Sequence, residues 1–208
     1  TYIASALKGS FYYLYLIEDI YSRKIVGWEI HESESAAHAS LLIRKTCLAE
    51  GVQPDQLVLH SDNGSPMKGA TMLATLQKLG VVPSFSRPSV SDDNPFSESL
   101  FRTMKYTPSY PAKPFESIEA AREWVHEFVQ WYNEEHRHSG IRYVTPSQRH
   151  QGLDKEILEK RKAVYEAAKE KNPQRWSGEI RDWSPVTEVW LNPPKEVRAE
   201  EQKLSKAA

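Results

Sequence analysis

Two carboxylates stand out by where they sit. Asp62 follows the short apolar run Gln56 to His60 inside the turn sequence SDNG, and Glu98 comes three residues after Pro95, where Asn94-Pro95 reads as a helix start. A strand end and a first helical turn, joined by a loop, are places from which a fold presents side chains to a substrate. Carboxylates are oxygen groups of the kind hard divalent cations prefer as ligands. If the helix begins at Pro95, then Glu98, Arg102 and Lys105 fall at i, i+4 and i+7 on one face, one acid with two cations. Each residue also has a plainer reading. Asp62 can serve as the acceptor of an Asx turn, with Asn63-Gly64 chosen for tolerance of positive φ. Glu98 and Arg102 can form a solvated pair worth only a few tenths of a kcal/mol. His60 and Ser61 suggest a nucleophile and base, but neighbours on a strand point to opposite faces and do not readily share a proton.

Positioning these residues requires a sheet and helices. Phe11 to Ile17 (FYYLYLI) is apolar or aromatic throughout, as expected of a strand covered on both faces. Lys24 to Ile30 follows too soon for a parallel crossover, so the two runs form an antiparallel hairpin. Ser35 to Glu50 has helical spacing, with Ser33 or Ser35 as N-cap and Gly51 as the stop. Gln56 to His60 is a short strand, Lys68 to Leu79 a helix ended by Gly80, and Val81 to Phe85 another strand. Ser86 to Pro95 has the composition of a mobile loop, and the Glu98 helix runs from Pro95 to about Tyr106. A proline-rich spacer precedes a long helix from Ser117 to His136, with Ala121, Trp124, Val125, Phe128 and Trp131 on one face. Further helical segments fall at Thr145 to His150 and Lys155 to Lys171. Trp176, Trp183 and Trp190 predict that the tail docks on something, whereas Val197 to Ala208 reads as a frayed end. The order describes an α/β sandwich, opened by a truncated strand at Thr1 to Ala4.

Charge sets a limit on how nucleic acid could be bound. With 27 basic against 28 acidic residues the net charge is −1, which excludes attraction by bulk charge and requires local cations. Trp131 to Arg149 concentrates Arg137, Arg142, Arg149 and several histidines around Tyr132 and Tyr143, a composition able to bind phosphate and stack bases. His136, His138 and His150 have no nearby cysteine and do not fit a structural zinc pattern, and packing or capping is the plainer role for most of this stretch. The single cysteine, Cys47, excludes an intramolecular disulfide and reads as a small core residue suited to a reducing compartment. No apolar run approaches the roughly 18 residues of a membrane span. The first residue is Thr1 rather than Met, as expected of a fragment.

Thirty-five residues separate Asp62 from Glu98. That spacing, with the stretches FYYLYLIEDIYSRKIVGW, HSDNGSPMKG, SRPSVSDDNPFSESLFRTMKY and WYNEEHRHSGIRYVTPSQRHQG, resembles the integrase catalytic core of bacterial insertion-sequence transposases, relatives of retroviral integrases. The likeness covers roughly residues 1–152. It implies an α/β, ribonuclease H-like fold: a mixed five-stranded sheet flanked by helices over residues 1–150, then a helical extension and tail over 151–208. It implies a DDE polynucleotidyl transferase, in which water frees a 3′-hydroxyl at the transposon end and that hydroxyl attacks target DNA. Asp62 and Glu98 become the second and third acidic ligands of Mg2+ or Mn2+, two ions about 4 Å apart activating the attacking oxygen and stabilising the leaving one.

The family's first acid sits in a motif of the form D-[IV]-T-Y, two positions ahead of Thr1, so the chain by itself is expected to be inactive. Asp19 is a tempting substitute, but it stands in a turn where Asp commonly caps the backbone. Lys105 matches the family's basic position near the transposon end; Arg102 and Arg137 are expected to contact DNA, and Asn63 and Gly64 to shape the site so that DNA approaches the backbone. The implied partners are transposon-end and target DNA and further copies of the chain. The implied location is the bacterial cytoplasm, with the nucleoid and without a membrane. The rivals are a ribonuclease H-like nuclease that cuts without joining, and a DNA-binding or assembly module without chemistry.

Overall fold

The computed structural model describes residues 1–87 and 93–193. Its strands are β1 (Tyr2–Ala4), β2 (Phe11–Glu18), β3 (Ile25–His31), β4 (Leu57–Ser61) and β5 (Val81–Phe85). Its α-helices are α1 (Ala36–Ala49), α2 (Ser65–Lys68), α3 (Ala70–Leu79), α4 (Pro95–Tyr106), α5 (Ile118–Glu134), α6 (Pro146–His150) and α7 (Asp154–Lys171). The centre of the expected mobile loop and the frayed end from Val197 fall outside the described residues.

β2 explains the layering. Tyr12, Leu14 and Leu16 face a core shared with Leu100 and Met104 of α4 and Val125, Phe128 and Tyr132 of α5. Tyr15 and Ile17, on the alternate positions, face a second core built by Ile43 and Cys47 of α1, Met72 and Leu76 of α3, and Val81. A strand with helices on both faces reads as continuously apolar, as this one does. Cys47 is a core residue, 5% exposed. Gly27 of β3 has no room for a side chain, since a Cβ there would collide with Thr46 of α1.

The expected single five-stranded sheet is not what forms. Among the described residues β1, β2 and β3 make an antiparallel sheet, while β4 and β5 pair in parallel as a separate two-stranded unit. One edge of β1 pairs with β2 through Tyr2, Ile3 and Ala4. Just past its end Phe115 forms an isolated bridge with Ser5, donating from its N–H to the Ala4 carbonyl at 3.1 Å and accepting from Ala6 N–H at 2.9 Å. The span expected as one helix over Lys68 to Leu79 is broken at Gly69 into α2 and α3, because Gly69 is extended and a Cβ there would lie 2.8 Å from Ala36.

α5 is fixed at both ends. Ser117 caps it by accepting from Ala120 N–H at 3.1 Å, and buried Asn133 brackets Ile25 of β3, accepting at 2.9 Å and donating at 3.0 Å. The tail does dock, on its own chain. Trp183 packs with Ile141, Val144 and Leu158, and Trp176 lies edge-on to Tyr165 of α7 at 6.0 Å. Trp190 stays 46% exposed. No helix among the described residues is long and apolar enough to cross a membrane.

Candidate nucleic-acid site

Asp62 leaves the end of β4 in a tight turn. Its Oδ1 accepts from Gly64 N–H at 3.0 Å, and a Cβ on Gly64 would stand 2.9 Å from that oxygen, so glycine lets the backbone close on the carboxylate. The Asx turn is therefore present, and Oδ2 lies outside it. Asn63 donates through Nδ2 to the Ser86 carbonyl at 2.8 Å, tying the Asp62 turn to the residue after β5. His60 is taken up by β5 and its exit, with Nδ1 at 3.0 Å from Ser84 Oγ and Nε2 at 3.3 Å from Ser86 Oγ. Ser61 Oγ donates to the Asp62 carbonyl, so His60 and Ser61 form no nucleophile pair.

The hydrogen-bonded path continues to α4. Arg87 reaches Asp93 with Nη2 at 2.7 Å and Nε at 2.9 Å, and its backbone N–H donates to the same carboxylate at 2.7 Å. These bonds hold the Asp93 carboxyl down to about 2, and the residue is 2% exposed. Asp93 precedes Asn94, the N-cap position of α4, whose carbonyl accepts from Glu98 N–H at 3.2 Å. Asn94 occupies the expected cap position but makes no side-chain cap bond. Composition marked the span Ser86 to Pro95 as mobile; its two ends are instead clamped by the Arg87–Asp93 pair.

α4 lies against the core through Leu100 and Met104, and the Arg23 guanidinium sits 4.0 Å above the Phe96 ring, bracing its first turn. Glu98, Arg102 and Lys105 are all exposed along one side. Lys105 Nζ donates to Thr1 Oγ1 at 3.3 Å, while the Thr1 amino group donates to Leu14 O at 3.0 Å. Asp62, Lys105 and Glu34 are the charged side chains that stand close to Thr1. The start of β1, the end of β4 and the α4 face thus meet around Thr1. Glu34 was not singled out from sequence, and only its nearness in the fold brings it forward. Among the described residues no group of three or more His, Cys, Asp or Glu side chains is assembled to hold a metal ion.

Most of the basic stretch near the end of α5 is structural. Arg149 is 2% exposed, lies 4.1 Å over the Tyr21 ring and donates to Val186 O at 2.8 Å. Arg142 pairs with Asp182 at 2.7 Å. His150 bridges Glu50 at 2.9 Å and Asp19 at 3.3 Å. Arg137 is exposed and close enough to Arg161 to add to the lowering that burial causes there. Asp19 caps its turn, accepting from Tyr21 and Ser22 N–H. Burial pushes its carboxyl up, but bonds from Ser22, Tyr21 and His150 outweigh this and leave it below the usual value.

Two family models, both described as an integrase core domain, match residues 1–91 and 79–146. The transposase for insertion sequence element IS904 of Lactococcus lactis is 33% identical over 151 residues, spanning 70% of this chain and 56% of the relative. Transposase InsF for insertion sequence IS3A of Escherichia coli is 27% identical over 137 residues, spanning 65% and 47%. The chain therefore covers about half the length of these relatives. A chain of the simian T-cell lymphotropic virus intasome, solved with the PP2A regulatory subunit B56 gamma, superposes with a TM-score of 0.52 over 71% of this chain and 50% of its own, at 14% identity. That likeness concerns the fold, a mixed α/β arrangement of the ribonuclease H-like integrase kind. With the two core matches running consecutively over residues 1–146 and insertion-sequence transposases as relatives, the chain belongs to the integrase core family, as a DDE-type core of an insertion-sequence transposase.

Proposed function

We propose that this chain, once joined to the family's first acid ahead of Thr1, cuts and joins DNA strands with a divalent cation held by Asp62 and Glu98, Lys105 and Arg102 gripping the phosphodiester backbone alongside. The observation that carries the reading is the meeting of three elements around Thr1, which Lys105 of α4 reaches with a hydrogen bond to Thr1 Oγ1 at 3.3 Å and which Asp62 approaches from the end of β4. Both candidate ligands are exposed hard oxygen donors, and the pair suits magnesium or manganese, which keep several waters and take phosphate oxygens as further ligands. When bound, the metal supplies Lewis acidity to the attacking oxygen and to the phosphate. The protein's own contribution is positional. The SDNG turn holds Asp62 with one oxygen outside its Asx bond, Asn63 keeps that turn anchored to Ser86, and Gly64 leaves the backbone open to DNA. Arg137 adds a cation on the side of α7. Residues 1–150 act as the core and 151–208 as a helical extension and tail, and paired DNA ends are handled by more than one copy.

In the family's pattern the first acid stands two positions ahead of Thr1. A chain lacking that acid holds metal weakly, since a missing carboxylate removes both charge and geometry. The test extends the chain by an Asp-Val pair ahead of Thr1 and measures nicking and strand transfer on transposon-end DNA with and without magnesium. The extended chain should nick and join only with metal, and Asp62→Asn and Glu98→Gln should each abolish both. Equal cleavage by the unextended chain, or activity surviving in either variant, overturns the reading. Nicking without joining would assign a nuclease instead.

A further inference from the structure

Beside Glu98, α4 carries a second feature that metal chemistry does not use. Ser99, Arg102, Thr103 and Tyr106 line an open cleft of about 370 Å³, closed on the far side by Trp131 of α5. We propose that this cleft receives an unpaired nucleobase from the DNA strand lying along α4; the inference rests on the DNA-processing reading above. Three properties point to this occupant.

Tyr106 is 82% exposed, an unusual setting for a large ring at the end of a helix whose Leu100 and Met104 are buried. Trp131 is half-buried: it packs against Phe128 at 5.9 Å and His136 at 5.0 Å, so the ring is held in place where it borders the cleft. Two aromatic rings lining one cleft, Trp131 packed and Tyr106 exposed, offer a flat base surfaces to stack on, and such stacking tolerates any sequence. Second, the polar groups match a nucleotide. Ser99 and Thr103 carry hydroxyls able to donate to or accept from a base edge, and the Arg102 guanidinium lies 6.0 Å from the Tyr106 ring centroid, at the lip where a phosphate would enter. Third, the cleft is continuous with the proposed backbone track, since Arg102 lies one turn from Glu98 and shares its exposed side. A strand whose phosphates follow Glu98, Arg102 and Lys105 passes directly over the opening. An enzyme acting at the end of a duplex gains by trapping the base that leaves the stack there, because the trapped base fixes the register of the strand.

The test uses the 208-residue chain, in EDTA, with a duplex bearing a three-nucleotide overhang. Affinity is read by fluorescence anisotropy for a normal overhang and for one of abasic sugars with the same number of phosphates. Wild type should prefer the base-bearing overhang by about tenfold. Tyr106→Ala should bring the ratio close to one and Tyr106→Phe should restore it, whereas Arg102→Ala should weaken both DNAs together and keep the ratio. An overhang carrying 5-iododeoxyuridine should photo-cross-link to Trp131 or Tyr106. A ratio near one in wild type, with duplex still bound, overturns this inference alone and leaves the catalytic reading standing. Cross-links elsewhere overturn it as well. Failure to bind either DNA removes both.

Discussion

Glu18 and His138 share a buried neighbourhood with Arg23, and their titrations pull stability in opposite directions. Burial pushes the Glu18 carboxyl from 4.5 up to about 8, partly offset by Arg23. The folded chain therefore keeps a proton that the unfolded chain releases, so this group's contribution is full below pH 4.5 and declines as pH rises toward 8. His138 is held down to about 4 from 6.5, by burial first and then by Arg23 and His136. Its contribution is full above pH 6.5 and is lost as pH falls toward 4. Of these two, only Glu18 slopes between pH 6.5 and 8, and denaturant unfolding across that window should show stability falling. Glu18→Gln should flatten the curve and raise stability at pH 8 by roughly 1–3 kcal/mol. A wild-type curve already flat there, or a slope that persists in Glu18→Gln, would show that Glu18 does not titrate as its surroundings require. None of this was legible in the sequence, where Glu18 is one acid in the run LIEDIYSR and its burial depends on packing from elsewhere in the chain.

At the scale of elements, the Arg87–Asp93 pair and α4 decide how firmly Glu98 is presented. Asp93→Asn leaves a neutral acceptor where three bonds from Arg87 converge. In the N-terminally extended chain it should lower the nicking kcat by about ten- to a hundredfold with little change in KM, as expected when a reacting group is mispositioned rather than lost. An unchanged kcat would mean that the clamp has no part in placing α4. Leu100→Ala, which empties a site 2% exposed in the core under α4, should cost about 2–4 kcal/mol in denaturant unfolding. Ser117→Ala, which removes the α5 cap bond, should cost about 1 kcal/mol. The elements themselves were largely readable. The apolar run at Phe11, the Ser35 and Ser117 caps and the Asn94-Pro95 start all mark boundaries through local chemistry. What escaped the sequence was non-local: the bridge between Ser5 and Phe115 just past β1, the close approach of Gly69 to Ala36 that splits a helix, and Asn133 bracketing Ile25. Asp62 and Glu98 stand out by spacing within the family resemblance, while Arg142, Arg149 and His150, for which packing or capping is the plainer reading, are engaged with Asp182, Val186, Asp19 and Glu50.

Across the 208 residues, the near-neutral balance of 27 basic and 28 acidic residues requires that the proposed DNA affinity come from a few exposed cations. If Arg102, Lys105 and Arg137 are those cations, log K against log salt for duplex binding should have a slope of about −3, and Lys105→Ala should reduce it by about one. A slope near zero would remove these residues from the interface. Trp183 joins the tail to α7 and to the segment before α6, so Trp183→Ala should loosen the tail, seen as faster hydrogen exchange around residues 141–144 and 158, while exchange in β2 and β3 stays slow. Uniformly faster exchange would show instead that the two regions unfold as one cooperative body. The claim on which the catalytic reading depends is that the Asp62 turn and the α4 acid share one divalent ion. Anomalous diffraction from crystals of the Asp-Val-extended chain soaked in manganese tests it directly. The expected result is a peak about 2.1 Å from a carboxylate oxygen of both Asp62 and Glu98, abolished or displaced in Glu98→Gln. Manganese bound at either residue without the other, or no peak between them at saturating metal, would contradict it.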